Sequence, residues 1–215
     1  MTGSGVVGHR TQPDIPTRFR LVTAPASEPV TLAEAKSHLR VTLSTDDTYI
    51  ATLIVAARES CEAAVNRSFV ATTWDYVLDE FPYSIDYGIP VINIPKGDLI
   101  SVTSVTYRDA AGSSQTLTAN TNYLVVAGAP GWIYPAPGQY WPATQVYRPE
   151  SVAIRCTIGY GASGSSVPGA VKQAILLLVG DYYRNREQTI VGTISGPLAT
   201  GVQSLLDSVR WGDYR

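Results

Sequence analysis

The chain has 215 residues, of which 45% are hydrophobic and 16% are charged, and its formal net charge is −2. This composition excludes a disordered chain and allows one large domain or two small ones. The near-neutral charge argues against DNA binding through phosphate neutralisation as the main function, and no apolar run reaches the roughly 18 residues that span a bilayer.

The low charged fraction leaves a surface rich in Ser, Thr, Gly and Tyr, which favours a subunit that partners cover. Residues 1–27 predict a flexible arm, because they are basic and rich in Gly, Thr and Pro; they lack the apolar core of a secretory signal. Cys61 and Cys156 do not form a Cys-x-x-Cys pair, so we expect two buried free thiols in a reducing compartment and no zinc site.

Two helices are predicted after the arm. Thr31 and Glu34 have the spacing of a capping box, which begins a short helix over about 32–40. Asp46 and Asp47 suit the first turn of a second helix over about 46–66, because the helix dipole favours anions there. That second segment carries a broad apolar stripe at helical spacing.

From about residue 69 the apolar pattern changes to a period of two. Short segments rich in Val, Ile, Thr and Tyr follow one another between Pro and Gly residues, as in "TTWDYVLDEF", "LISVTSVTYRD" and "VAIRCTIGYG". Ala111 and Gly112 lie in the turn of a predicted hairpin. The pattern predicts an antiparallel sheet or a small barrel.

The last long helix is predicted over about 168–187. Its first turns are apolar, and Gly180 within it predicts a close approach of another helix or subunit, because Gly costs about 1 kcal/mol in a helix interior. Its end is rich in rings and cations, which suits either a contact with a neighbouring subunit or a plain solvated helix end. The residues concerned are Tyr182, Tyr183, Arg184 and Arg186.

The fold class predicted is α+β: a small α-helical bundle with an inserted antiparallel β-region and a C-terminal docking tail. Residues 28–68 and 165–188 form the helical core, residues 69–164 form the β-rich insertion, and residues 189–215 form the docking segment. The tail is predicted to dock because it combines several glycines with a short amphipathic stretch.

The sequence shows no catalytic constellation, so we expect no enzyme, no cofactor and no metal. His38 is the one histidine outside the arm, and no G-x-S-x-G motif accompanies it; a hydrolase that depends on His38 is the weakest hypothesis. The carboxylate pairs Asp46–Asp47 and Asp79–Glu80 suit a helix start and a solvated strand end better than a glycosidase cleft.

Four tryptophans and thirteen tyrosines leave two interpretations open. They favour a sheet core with subunit contacts, with Trp132 and Trp141 as candidate contact residues, because aromatic rings are enriched at interfaces. The alternative is a sugar- or surface-binding β-module, because the same rings stack on sugars.

The order of five segments resembles the head–tail connector (adaptor) proteins of tailed bacteriophages, with relatives in prophages and gene transfer agents. The segments are "PVTLAEAKSHLRV", "IATLIVAARESCEAAVNRSF", "TTWDYVLDEFP", "PKGDLISVTSVTYRDAAGS" and "VPGAVKQAILLLVGDYYRNRE". The resemblance covers about residues 28–210 and implies a structural protein of the virion, assembled in the bacterial cytoplasm.

The resemblance also implies partners. Such adaptors form a ring of identical subunits, usually a dodecamer, under the portal protein; the ring extends the DNA channel and meets a stopper or tail protein. DNA is expected to pass through without specific binding. By position, the tail would reach into the portal, with Leu205, Leu206, Val209, Trp211 and Tyr214 as anchors.

Overall fold

The computed structural model describes residues 17–83, 90–186 and 200–210. The helices in these residues are α1 (Leu32–Leu39), α2 (Asp47–Val65), α3 (Gly169–Arg184) and α4 (Thr200–Asp207). The strands are β1 (Thr17–Thr23), β2 (Thr72–Leu78), β3 (Ile92–Ile94), β4 (Leu99–Arg108), β5 (Ser114–Leu117), β6 (Tyr123–Val126), β7 (Gly131–Pro135) and β8 (Val152–Ile158). The α+β class predicted from the sequence is confirmed.

Helix α1 begins at the predicted capping box. The Glu34 amide donates to the Thr31 hydroxyl at 3.2 Å, and the Thr31 amide donates to the Glu34 carboxylate at 2.7 Å. The helix ends at Arg40, which adopts the left-handed conformation with a φ of 57° and donates its amide to carbonyls of the last turn. The cap at each end fixes where the chain turns into α2.

Helices α1, α2 and α3 pack around one apolar core. Ile50, Ile54 and Ala57 of α2 are buried against Ala174 and Ile175 of α3 in this core. Val202 and Leu206 of α4 are buried in the same core, so it extends beyond residues 28–68 and 165–188, for which the helical core was predicted.

The β-rich insertion lies between α2 and α3 and, together with β1 from the N-terminal side of α1, forms two antiparallel sheets. The strand order is β1-β2-β8-β4-β5 in the first sheet and β3-β7-β6 in the second. Apolar side chains of both sheets share a second core, which includes Tyr76, Leu99, Ile133 and Ile154. The predicted hairpin is present between β4 and β5, and Gly112 in its turn has a φ of 84°.

The prediction of a flexible arm over residues 1–27 is wrong for residues 17–23. These residues form β1, which pairs with β2 along the edge of the five-stranded sheet, so that Phe19 stacks on Tyr76 with ring centroids 4.7 Å apart. The alternation of Arg18 and Arg20 with Phe19 and Leu21 has the period of a strand that places cations outward and rings inward. Residues 1–16 lie outside the described residues.

Arg58 and Glu62 tie the helical core to the first residues of the β-insert. Arg58 is only 6% exposed and donates to Glu28 at 2.8 Å and to Glu62 at 2.7 Å. Glu62 also accepts the amide of Phe69 at 2.7 Å. Burial raises the pKa of the Glu62 carboxyl, although the Phe69 amide and Arg58 favour its charged form.

Arg67, just beyond α2, joins three parts of the chain. Its guanidinium lies 2.5 Å from the Asp98 carboxylate before β4, donates at 3.3 Å to the carbonyl of Val209 after α4, and lies 4.5 Å from the ring centroid of Tyr160. The β-insert and the C-terminal helix are thus held by one side chain next to the core.

Replacing Arg58 tests the junction. Arg58→Met keeps the apolar stem but leaves two partly buried carboxylates without their cation, and breaking a buried pair typically costs about 3–5 kcal/mol. We expect the free energy of unfolding in urea to fall by about that amount. Glu59→Gln is the matched control, because Glu59 is an exposed partner of the same arginine, and an exposed pair contributes at most about 1 kcal/mol. Equal losses in the two variants would contradict the assigned role of the buried pairs.

Candidate assembly surfaces

The groups considered for catalysis lie apart from one another. His38 is exposed on α1, whereas Cys61 and Cys156 are buried and free, as predicted. Burial raises the pKa of each thiol to about 12, so neither is a thiolate at neutral pH. In the part of the chain that the structure describes, no three His, Cys, Asp or Glu side chains approach closely enough to share a metal ion.

Membrane insertion by a helix has no candidate in the described residues. None of their helices is both long enough and apolar enough to cross a bilayer.

The carboxylates at the start of α2 bind side chains instead of capping the helix. Asp46 at the N-cap position makes no side-chain capping bond; it accepts the hydroxyl of Tyr183 and lies 3.4 Å from the guanidinium of Arg186. Asp47 binds Lys36 of α1 at 2.6 Å. Asp46 and Asp47 therefore hold neighbouring parts of the chain against the start of α2. This contact role comes in addition to the predicted one, in which their negative charge favours the first turn of α2.

The ring-rich end of α3 contacts mainly its own chain. The Arg186 guanidinium lies over Tyr49 and Tyr183, 4.8 and 5.3 Å from their ring centroids, and the Tyr182 hydroxyl bonds Ser60 at 3.2 Å. The hydrogen bond to Asp46 is the main cause that raises the pKa of the Tyr183 phenol. A role of these residues in a subunit contact stays a prediction, and Arg184 is the member with an exposed side chain that faces a groove.

That groove is open, has a volume of about 1060 Å³ and runs beside α3. Leu39 of α1, Leu177 and Arg184 of α3 and Val202 of α4 are among its lining residues. At Gly180 in its wall, an added Cβ would lie 3.4 Å from Nε2 of His38. This is an ordinary van der Waals contact with a side-chain end, so the described residues show no close helix approach that requires glycine here.

Of the two candidate tryptophans, Trp141 serves the core of the β-insert. Its ring stacks on Phe81 with centroids 4.9 Å apart, and its Nε1 donates to the Pro90 carbonyl at 2.7 Å. Trp132 instead lies half-buried on β7, opposite Val126 of β6. The two rings therefore do not form a common face for stacking on a sugar.

The predicted portal anchors fall into two groups. Leu206 is 1% exposed and fills the chain's own core, and Leu205 and Val209 pack half-buried beside it. In this conformation Leu206 is not a free anchor, because the apolar stripe of α4 packs against α2 and α3. Trp211 and Tyr214 lie outside the described residues.

Two exposed apolar features were not recognised in the sequence. Leu124, Val125 and Val126 of β6 are each more than a third exposed, and Val146 and Tyr147 protrude from the loop that precedes β8. The segments "NYLVV" and "TQVYRP" carry the signal, because an uninterrupted apolar strand and a loop with Val beside Tyr depart from the polar pattern of solvated elements.

The chain is similar in sequence to a family of phage proteins over part of its length and in fold to chains of gene transfer agent particles. Residues 29–125 match the family model of the phage gp6-like head-tail connector protein. A chain in the structure of the neck of an empty gene transfer agent particle, computed with C6 symmetry, is 24% identical with a TM-score of 0.72, and the match covers 92% of this chain and 97% of that one.

Two further structures give the same fold. A chain in the virion of a native gene transfer agent particle is 24% identical with a TM-score of 0.68, over 92% of this chain and 96% of that one. A chain in the neck of a native particle, computed with C12 symmetry, is 23% identical with a TM-score of 0.68, over 92% and 97%. No curated protein matches the sequence significantly. The resemblance to head–tail connectors found in the sequence is confirmed.

Proposed function

We propose that this chain, which matches the phage gp6-like head-tail connector family over residues 29–125, is a structural connector at the head–tail interface of a tailed phage or phage-like particle. The observation that carries the proposal is the joint match: the family model covers α1, α2 and much of the β-insert, and the fold shared with gene transfer agent neck chains covers 92% of the sequence. The family is a structural one, which favours a role without catalysis.

In this role the chain forms a homo-oligomeric ring under the portal protein and extends the DNA channel towards a stopper or tail protein. The neck structures that share the fold were computed with C6 and C12 symmetry, which supports a ring and is consistent with a dodecamer. A ring of identical subunits closes when two different surfaces of one subunit are complementary.

The charge distribution suits a channel through which DNA passes without specific binding. Arg155 on β8 makes two bonds of 2.8 and 2.9 Å to Asp75, and Arg18 and Arg20 on β1 both bind Glu150. Cations that already have a carboxylate partner attract phosphate weakly, and a chain of net charge −2 adds no basic field.

Portal docking by residues 189–215 belongs to the same proposal. Because Leu206 and its neighbours hold α4 against the chain's own core, α4 supplies a fixed base next to the last residues of the sequence. Trp211 and Tyr214 then carry the contact, since Trp and Tyr are the residues that most often dominate binding at interfaces.

Electron microscopy of the full chain mixed with the portal protein of the same genome tests the proposed function. We expect rings at the outer end of the portal, and a dodecameric class among them. A chain that never joins the portal, under conditions in which the portal itself is assembled, would refute the connector role.

The docking anchors are tested by Trp211→Ser combined with Tyr214→Ser. We expect at least about a tenfold loss of affinity for the portal, because losing interface hot spots costs 2 kcal/mol or more. The thermal unfolding midpoint should stay unchanged, because α4 and its buried leucine are untouched. Ser204→Ala on the exposed side of α4 is the control. Unchanged affinity in the double variant would show that the anchors lie elsewhere.

A further inference from the structure

A small pocket lies where β1, α2 and β2 meet. It has a volume of about 280 Å³, and its apolar lining includes Leu21 of β1, Pro25 shortly after it and Trp74 of β2. Glu59 and Ala63 of α2, which are exposed, also line it, so the pocket is open to small molecules. It is separate from the groove beside α3, with which it shares no lining residue.

The walls of the pocket are fixed by contacts within the chain. The Trp74 indole donates from Nε1 to the Ser68 hydroxyl at 3.1 Å and meets the Phe19 ring edge-on, with centroids 6.1 Å apart. Arg58, which also lines the pocket, is held by its bonds to carboxylates. Sites for small molecules are usually concave, mostly apolar and largely preformed in this way.

Lys96, between β3 and β4, lines the same pocket and has no anionic partner there. Its Nζ lies 4.7 Å from the ring centroid of Trp74 and 5.5 Å from that of Phe19. In the part of the chain that the structure describes, no carboxylate lies within ion-pair distance of this nitrogen and no acceptor bonds it. Its backbone is fixed beside the end of α2, because the Lys96 carbonyl accepts the Ser68 amide at 3.2 Å.

The other two lysines of the sequence each face a carboxylate. Lys36 binds Asp47 at 2.6 Å, and Lys172 lies 3.9 Å from Glu34. A nearby carboxylate favours the ammonium form over the neutral amine. We call Lys36 and Lys172 the reference lysines, since both lack the surroundings of Lys96.

The surroundings of Lys96 favour its neutral amine. Burial lowers the pKa of Lys96, because the charged form loses hydration. The charge of Glu62 and the two ring faces oppose this shift, but the Glu62 carboxylate already binds Arg58 and the Phe69 amide. A larger share of Lys96 is therefore unprotonated at neutral pH than of an exposed lysine, and the unprotonated amine is the nucleophile.

We propose that Lys96 is a reactive amine and that the pocket takes a neutral aromatic aldehyde, which condenses with Lys96 to form an imine. A desolvated lysine in an apolar pocket is a characteristic nucleophile for carbonyl compounds. Trp74, over which Nζ lies, gives the ring of the aldehyde an aromatic neighbour. Once Lys96 is neutral, Glu59 and Glu62 outnumber Arg58 in the lining, so an anionic ligand is disfavoured. This site does not depend on the connector function.

The condensation needs neither an oxidant nor a reductant. The lone pair of Nζ attacks the carbonyl carbon and forms a C–N bond, and a proton moves from the nitrogen to the carbonyl oxygen. The C–O bond then breaks, and water leaves with that oxygen and both hydrogens of the amine. The C=N bond that remains joins the ligand to Lys96.

Reductive labelling of the full chain with benzaldehyde tests the site. Sodium cyanoborohydride at neutral pH reduces each imine to a stable secondary amine, and peptide mass mapping gives the rate at each lysine. We expect Lys96 to react at least about tenfold faster than the reference lysines, because the pocket holds the aldehyde beside the amine. Its rate should saturate as the benzaldehyde concentration rises, whereas the rates of the reference lysines should rise in proportion. Similar rates at all three lysines, or a rate at Lys96 that rises in proportion too, would overturn the proposal.

Ala63→Leu tests the pocket itself. A longer side chain at this exposed position of α2 narrows the pocket, and leucine suits a helix, so the fold should be kept. We expect the rate at Lys96 to fall to that of the reference lysines, with an unchanged thermal unfolding midpoint. Ala51→Leu is the matched control, because Ala51 is exposed on the same helix and does not line the pocket. Unchanged labelling of Lys96 in Ala63→Leu, or an equal loss in Ala51→Leu, would show that the pocket does not act on this amine.

Discussion

The ion pair of Arg67 with Asp98 is the interaction on which the arrangement of the chain depends. Arginine presents several donors in a planar fork, so one side chain can bind a carboxylate, a carbonyl and a ring at the same time. Arg67 binds Asp98 at the start of β4, the Val209 carbonyl beyond α4 and the face of Tyr160. The β-insert and the C-terminal helix therefore take their positions from the same point at the end of α2.

The buried network of Arg58 extends this junction to the N-terminal side. Glu28 precedes α1 and Glu62 lies near the end of α2, and one guanidinium binds both. Ion pairs in a partly buried setting fix geometry more than they add stability, because desolvation offsets most of their attraction. The connector role proposed above needs that geometry, since an error in the angle between core and insert would repeat in every copy of a ring.

Local signals in the sequence predicted the positions of the helices well. They predicted less well which parts of the chain each surface packs against. The capping box at Thr31 and the apolar stripe of α2 determine these helices through contacts within a few residues, so the sequence alone was sufficient. Strand β1 was missed because its pairing with β2 joins residues fifty or more positions apart. Gly and Pro around it also suggested a loose arm.

The difference between local and long-range contacts also explains where the candidate contact residues lie. An amphipathic stripe shows that α4 must pack on something, but the sequence does not say whether Leu206 packs on its own chain or on another, and it packs on its own core. Trp141 was expected at a surface and stacks on Phe81 instead, sixty positions away. The segment "NYLVV" signals an unusual apolar strand, but only the register shows that Leu124 and Val126 of β6 share one face.

The β-insert leaves and rejoins the helical core at one place. The Ala71 amide donates to the Gly161 carbonyl at 2.8 Å, and the Tyr160 amide donates to the Phe69 carbonyl at 2.9 Å, so the outgoing and returning chains lie side by side. Gly159 at this crossing has no room for a side chain, since an added Cβ would lie 2.6 Å from the backbone of Val70. Because the chain between α2 and α3 leaves and returns side by side, its distal loops can lengthen, shorten or exchange over generations while the helices beneath keep their packing.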